Sequence, residues 1–342
     1  MDEYAKLVDS GIIEKEWTIF IHKRRKAPLL LEGLEAAIRR LQIYHEMVPV
    51  LRSKHAAVKA GFGGEQELDK VFESYSFSMK HGIFNDLSLS SSAFFQVDTL
   101  FITPWYAVLF EVKNISGELT VTENPPQLIR TLDSGQVSGF KSPIAQLQSN
   151  CELFQDWLYS RDLSLPVYGA VVMAYASQRI EVFDTKTPVL FPSSVPSYIR
   201  KLPAISPLLD DAAFNHLLSL LANGHRQFIP SPICDTYSIR YSDIGTGVIC
   251  PDCKVLGMSW HRRRWECINC GFRCSEAHKQ AIQDWFLLFG GKMTNKDCRE
   301  FLHLERQQNA NRMLRDMDLQ TEGANRNRTY SMLLSESQKK RT

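Results

Sequence analysis

Residues 94–114, FFQVDTLFITPWYAVLFEVKN, constrain the fold more tightly than any other part of the chain. Most of these residues are apolar and demand burial. Three ionisable side chains interrupt them: Asp98, Glu111 and Lys113. Pro104 splits the run into two strand-length halves joined by a tight turn. Strand side chains alternate faces, so Gln96, Asp98, Leu100 and Ile102 share one face of the first half. Leu109, Glu111 and Lys113 share one face of the second. Two carboxylates and a lysine on adjacent strands are costly to bury unless they bind something or form a satisfied ion-pair network.

The flanking sequence frames this pair as an α/β unit with a mixed sheet. Residues 61–64 (Gly61-Phe62-Gly63-Gly64) read as a flexible joint. A helix then runs over 65–72, opened by Glu65 and burying Leu68, Val71 and Phe72. Residues 75–80 and 83–90 read as short strands or a hairpin, with Asn85-Asp86 in its turn. Residues 117–122 read as a strand and 124–139 as a loop. A strong helix covers 143–159, with Ile144, Leu147, Cys151, Phe154 and Leu158 on its apolar face. Residues 166–176 form a near-continuous apolar run, the pattern of an interior strand. Before the unit, 29–58 is helix-rich, with Pro49 breaking or starting a helix. The basic run His22-Lys23-Arg24-Arg25-Lys26 reads as a solvated arm or a nucleic-acid contact. Residues 178–249 carry five prolines from Pro188 to Pro207 and a helical pattern at 214–221; they read as a domain edge and linker.

At 342 residues the chain has room for two or three domains. Its net charge is only +2, but the distribution is uneven. From Cys250 onward there are seventeen Lys/Arg against eleven Asp/Glu, while the preceding part carries a net −4. A basic region behind an acidic body points to an anionic partner. No run of 18 apolar residues exists, so no membrane span is expected, and the first residues lack a signal-peptide pattern.

Four of the eight cysteines form C-x2-C-x13-C-x2-C: Cys250, Cys253, Cys267 and Cys270. Two such knuckles complete a four-thiolate zinc site, structural because sulfur fills every position. The spacing fits a small zinc ribbon with a hairpin between its knuckles. A metal-type cluster favours a reducing, cytoplasmic setting over disulfides. Between the knuckles lies Trp260-His261-Arg262-Arg263-Arg264-Trp265. Arg262, Arg263, Arg264 and Trp265 are candidate nucleic-acid contacts, by phosphate pairing and stacking. The alternative is a solvated basic hairpin whose tryptophans cover a small core.

Three helices follow, over 275–289, 294–303 and 306–317. The third buries Ala310, Met313, Leu314 and Met317 and turns Gln308, Asn311, Arg312 and Arg315 outward. A basic turn with Arg326 and Arg328 comes next, then an apolar run at 332–334. The pattern resembles a winged helix-turn-helix, with the third helix in the major groove and the two arginines on the wing. A helical bundle used for oligomerisation is the other reading.

Taken together, Gly61-Phe-Gly-Gly-Glu65, Phe95-Gln-Val-Asp98, Phe110-Glu111-Val-Lys113-Asn114 and Pro143-Ile-Ala-Gln146 resemble the motifs of a NERD (nuclease-related) domain. That family is similar to the PD-(D/E)xK nucleases; here Val97 stands where the name motif has proline. The resemblance implies a restriction-endonuclease-like mixed sheet flanked by helices. It also implies a metal-dependent phosphodiesterase site, and a NERD domain followed by a zinc ribbon is similar to a bacterial arrangement. Asp98 and Glu111 would share Mg²⁺ or Mn²⁺, with the Val112 carbonyl as a further ligand. Lys113 would orient the attacking water or neutralise developing charge. Glu65 would hold a metal-bound water or a second ion, and Gln146 would position the phosphate or that water.

The expected organisation is therefore an N-terminal helical arm (1–54), a nuclease-like domain (55–177) and a domain edge with linker (178–249). A zinc ribbon (250–274), a small winged-helix-like helical domain (275–334) and a disordered tail (335–342) complete it. The expected function is metal-dependent DNA hydrolysis, with the C-terminal region binding nucleic acid. The alternative is a non-catalytic DNA-binding adaptor or transcriptional regulator that keeps the fold.

Overall fold

A computed structural model describes residues 21–176, 179–183, 185–324 and 327–332. The expected tail at 335–342 lies outside these. The chain divides into two units, Met1–Lys26 with Ala60–Gln227, and Ala27–Lys59 with Phe228–Thr342.

In chain order the elements begin with β1 (Ile21–Lys23), α1 (Leu29–Arg40) and α2 (Met47–Ser74). The strands β2 (Gly82–Ser90), β3 (Phe94–Ile102), β4 (Ala107–Lys113), β5 (Glu118–Glu123), β6 (Pro126–Thr131) and β7 (Val137–Phe140) follow. Then come α3 (Pro143–Tyr159), β8 (Val167–Met173), β9 (Ile180–Phe183), β10 (Val189–Leu190), α4 (Val195–Lys201) and α5 (Asp211–Gly224).

The first unit is built on a six-stranded sheet in the order β1-β2-β3-β4-β8-β10. β2, β3 and β4 run antiparallel in succession, while β1 on β2, β8 on β4 and β10 on β8 are parallel. The sheet is mixed, as the order of patterns predicted. Its central strands are apolar on both faces because helices cover both. Leu68 and Phe72 of α2, with Val195 and Ile199 of α4, pack on Phe101, Val108 and Phe110. Ile144, Leu147 and Phe154 of α3, with Phe214 and Leu217 of α5, pack on Leu100, Ile102 and Leu109. Leu100, Ile102 and Leu109 thus feed one core and Phe101, Val108 and Phe110 the other. Phe95 and Val97 join the first, however, so the expected common face of Gln96, Asp98, Leu100 and Ile102 is broken between Val97 and Leu100. Each fully buried Leu, Ile or Phe contributes about 1.5–3 kcal/mol.

Several local expectations are corrected. Residues 61–64 are not a joint, because α2 runs unbroken for 28 residues through them, and Glu65 lies mid-helix rather than at a helix start. A Cβ at Gly64 would sit 2.6 Å from that of Asn114 and 3.1 Å from that of Ala174. The glycine is there for close approach of helix and strands, which Asn114 seals by donating from Nδ2 to the Ala60 carbonyl (2.8 Å). Residues 75–80 form no strand, and Asn85 and Asp86 lie inside β2, where Asp86 takes a φ of 54°. The expected loop at 124–139 holds β6 and β7, in a second sheet ordered β7-β6-β5-β9. That sheet needs few apolar residues, since it buries only one face, through Leu119, Val121 and Leu128. The proline-rich stretch is not a linker: β9, β10, α4 and α5 complete the first unit.

The second unit takes α1 and the start of α2, then α6 (Ile233–Thr236), β11 (Val248–Ile249), β12 (Leu256–His261), β13 (Arg264–Cys267) and β14 (Arg273–Cys274). It ends with α7 (His278–Phe289), β15 (Met293–Thr294), α8 (Asn295–Leu302), α9 (Gln307–Arg315), β16 (Leu319–Glu322) and β17 (Thr329–Met332). One core joins Leu34 and Ala37, Met258 and Trp265, Ile282 and Phe286, and Ala310, Met313 and Leu314. The fully buried Asp284 of α7 receives both Arg39 (2.5 Å) and Arg40 (2.7 Å). Residues 27–59 are therefore core of this unit and not an arm. The capping box expected at Thr294 and Asp297 opens α8. β15, β17 and β16 form a small antiparallel sheet in that order beside the three helices.

Candidate functional site

The ladder between β3 and β4 ends at the pair Thr99–Phe110. Past that point the Asp98 side chain replaces a backbone partner, Oδ2 accepting from the Val112 N–H at 2.8 Å. The carboxylate is thereby held in the fork between two strands. Glu111, 2% exposed, lies on β4 beside β8. Lys113 donates from Nζ to Glu111 Oε1 (2.5 Å) and to Gln146 Oε1 on α3 (3.2 Å). Glu111 and Lys113 alternate with Leu109 onto the α3 side of the sheet, where Gln146 meets Lys113. Asp98 sits where the alternation of β3 breaks, its carboxylate held by the Val112 N–H.

Glu65 approaches from α2, which covers the other face. Its partner is Arg25, which the basic-run reading did not place at this site. The Arg25 side chain is 3% exposed. Nη1 donates to Glu65 Oε2 (2.6 Å), Nε to Asp69 Oδ2 (2.9 Å), and Nη2 to the Asp98 carbonyl (2.8 Å) and Thr99 Oγ1 (3.0 Å). Lys23 is likewise engaged, donating to the Asn85 and Asp86 carbonyls. The expectation of a solvated arm or nucleic-acid contact fails for these two residues, because β1 places Lys23 in the sheet and Arg25, just beyond it, is buried against Glu65, Asp69 and Asp98. Two cues existed: Ile21 before the run, and acidic residues at Glu65 and Asp69, one helical turn apart.

Burial pushes the Glu111 carboxyl up to about 8, the charge of Asp98 adding to it and Lys113 opposing. Burial likewise lifts Glu65 to about 7, helped by Asp98 and opposed by Arg25. Asp98 is also raised by burial, against its bond from Val112 and the charge of Lys113. For Lys113, burial favours the neutral form but Glu111 outweighs it, and the net shift is upward. The cluster thus holds more carboxylate than its two cations balance. Hard oxygen donors crowded enough to have their carboxyls raised suit a divalent cation, which relieves the same repulsion. Asp98 and Glu111 fit that role. Glu65 is committed to Arg25.

In the second unit the four sulfurs of Cys250, Cys253, Cys267 and Cys270 lie within 4.8 Å of one another. Among the described residues they are the one group of three or more His, Cys, Asp or Glu ligands that converges in this way. The thiolate set and spacing are those of a closed tetrahedral zinc site. The hairpin β12–β13 lies between the knuckles, with Arg262 and Arg263 at its tip.

The basic residues separate on inspection. Trp265 is not a surface contact: it is 1% exposed, and its Nε1 donates to His278 Nδ1 (3.2 Å). Its directly paired neighbour Trp260 shares that face, with ring centres 5.2 Å apart, but is only half-buried at the edge of the core. Arg262, Arg263, Arg264, Gln308 and Arg315 are exposed. Asn311 accepts from Asn295 Nδ2 (2.8 Å), and the Arg312 guanidinium lies 5.3 Å from the Trp260 ring centre. Arg328 is half-buried, and Arg326 lies outside the described residues.

Fold and site together define a mixed α/β protein with an acid-and-lysine cluster at the fork of its central strands and a four-cysteine cluster in its second unit. Residues 60–174 match the family model of the nuclease-related domain, NERD, so the chain carries a nuclease-related domain there. The matched segment contains Glu65, Asp98, Glu111, Lys113 and Gln146, and leaves out Arg25. No curated protein and no solved structure matches the chain. Among the described residues no helix is long and apolar enough to cross a membrane.

Proposed function

We propose that this chain is a cytoplasmic, metal-dependent nuclease that hydrolyses DNA phosphodiester bonds, with a structural zinc and a nucleic-acid-binding second unit. The observation that carries the reading is the meeting of Asp98, Glu111, Lys113 and Gln146 at one strand fork inside the nuclease-related segment. Asp98 and Glu111 hold Mg²⁺ or Mn²⁺. A divalent ion so held stabilises charge on the scissile phosphate and eases deprotonation of a water.

The remaining work falls to the chain's own groups. Lys113 stays cationic and directs Nζ–H donors at the reacting phosphate or the attacking water. Gln146 accepts from Nζ and fixes its direction. Asp98 is immobilised by the Val112 N–H, so its orientation costs nothing when substrate arrives. Glu65, with its carboxyl lifted to about 7, is suited to accept or give up a proton near neutrality. An adaptor that kept the fold without the chemistry would have no use for this complete set of groups. Incubation of the purified chain with linear and circular DNA, with and without Mg²⁺ or Mn²⁺, tests the proposal. Binding without cleavage under every ion would favour the adaptor.

A further inference from the structure

The strongest unassigned feature is a cavity of about 980 Å³ in the second unit, walled on one side by the ribbon hairpin and on the other by α9 with the turn before it. Arg262 and Arg263 enter it from the hairpin tip, and Arg306 and Arg312 from the helix side. One carboxylate, Glu305, accompanies these four guanidinium groups. Arg262, Arg263 and Arg306 have no ion pair among the described residues. Other surface cations of the unit do pair, such as Arg240 with Asp243 at 3.0 Å and Arg273 with Glu266 at 2.9 Å. Trp260 forms part of the wall, with Arg312 over its ring.

The hairpin tip adds a second, independent observation. His261 pairs with Arg264, leaving Arg262 and Arg263 as a two-residue turn with φ of 45° and 66°. Such a turn needs positive φ at both central residues and favours Asn-Gly. Two arginines there strain the backbone, and strain of this kind concentrates where a side chain is needed for function.

We propose that this groove grips the phosphodiester backbone of a nucleic-acid strand, held by Arg262, Arg263 and Arg306, with Trp260 and Gln308 facing its bases. The proposal rests on the nuclease reading only for its choice of partner. Guanidinium forks match phosphate oxygens, and an indole beside them offers a stacking surface that an acidic peptide does not require. The hairpin and the third helix, which the sequence presented as separate contacts, are here two walls of one site.

The test is fluorescence anisotropy with a labelled single strand, its duplex and a polyglutamate peptide, using full-length protein in a Lys113→Ala background. That background separates binding from cleavage, so an inactive enzyme leaves the result readable. Arg263→Ala with Arg306→Ala is expected to weaken nucleic-acid binding at least tenfold. The slope of log affinity against log salt on duplex should fall by about 2. Arg262→Asn with Arg263→Gly relieves the turn: its Tm should rise by about 3 °C while binding falls, which separates lost contacts from lost folding. Unchanged affinity in both variants would overturn the proposal. So would polyglutamate binding as tightly as nucleic acid and weakening equally in the variants.

Discussion

Arg25 Nη1 lies 2.6 Å from Glu65 Oε2, and the same guanidinium reaches Asp69 and the main-chain carbonyl of Asp98. A residue outside the family-matched segment therefore supplies one of the two cations of the site inside it. Removing it leaves Glu65 and Asp69 without their cation. Arg25→Met should cost about 3 kcal/mol of stability, the lower end for breaking a buried pair because both carboxylates keep some solvent. Denaturant unfolding measures this, and Arg25→Lys should recover only part, since a single ammonium cannot serve Asp69 and Glu65 together.

Gly64 marks the closest approach of α2 to the strands, so Gly64→Ala should destabilise the first unit despite alanine's better helix propensity. Gly61 and Gly63 have open space at their Cβ positions. Alanine at either should stabilise by about 0.5–1 kcal/mol. Thermal melts of the three variants give opposite signs if the packing argument holds.

These two sites show what the sequence could and could not convey. Strand alternation set Glu111 and Lys113 on one side of the sheet but missed the break in β3 beside Asp98, and Gln146 was legible only through the resemblance of Pro143-Ile-Ala-Gln146 to a family motif. Spacing alone gave the cysteine cluster. Glycines 61, 63 and 64 looked like a break because a glycine needed for close packing is locally indistinguishable from one that ends a helix. Arg25 was lost in a run of five basic residues because its partners lie 40 to 74 positions away. Trp260 and Trp265 look alike in sequence and pair on one face of the hairpin, and only the packing of the rest of the unit makes Trp265 the core residue.

The cysteine geometry makes a metal prediction. Purified protein should carry one zinc per chain, and chelation should unfold the second unit, whose core includes Cys250 and Cys267. Cys253→Ser should lower both zinc content and the melting temperature, while Cys274→Ser, outside the converging group, should alter neither zinc content nor stoichiometry.

His278 makes a pH prediction. Burial depresses its imidazole to about 4 from an ordinary 6.5. A depressed base is neutral in the folded state, so its contribution is fully present above pH 6.5 and is lost as pH falls toward 4. Thermal melts between pH 4 and pH 7 should show His278→Gln losing less stability on acidification than the parent.

The most direct measurement is single-turnover cleavage of an end-labelled DNA duplex in Mg²⁺ and in Mn²⁺, comparing the parent with Asp98→Asn, Glu111→Gln and Lys113→Ala. Each variant should fall by at least about a hundredfold, as loss of one electrostatic stabiliser of the transition state does. The parent should cut only with a divalent ion. Metal-independent cleavage, or full activity in Lys113→Ala, would contradict the assignment of hydrolysis to this strand fork.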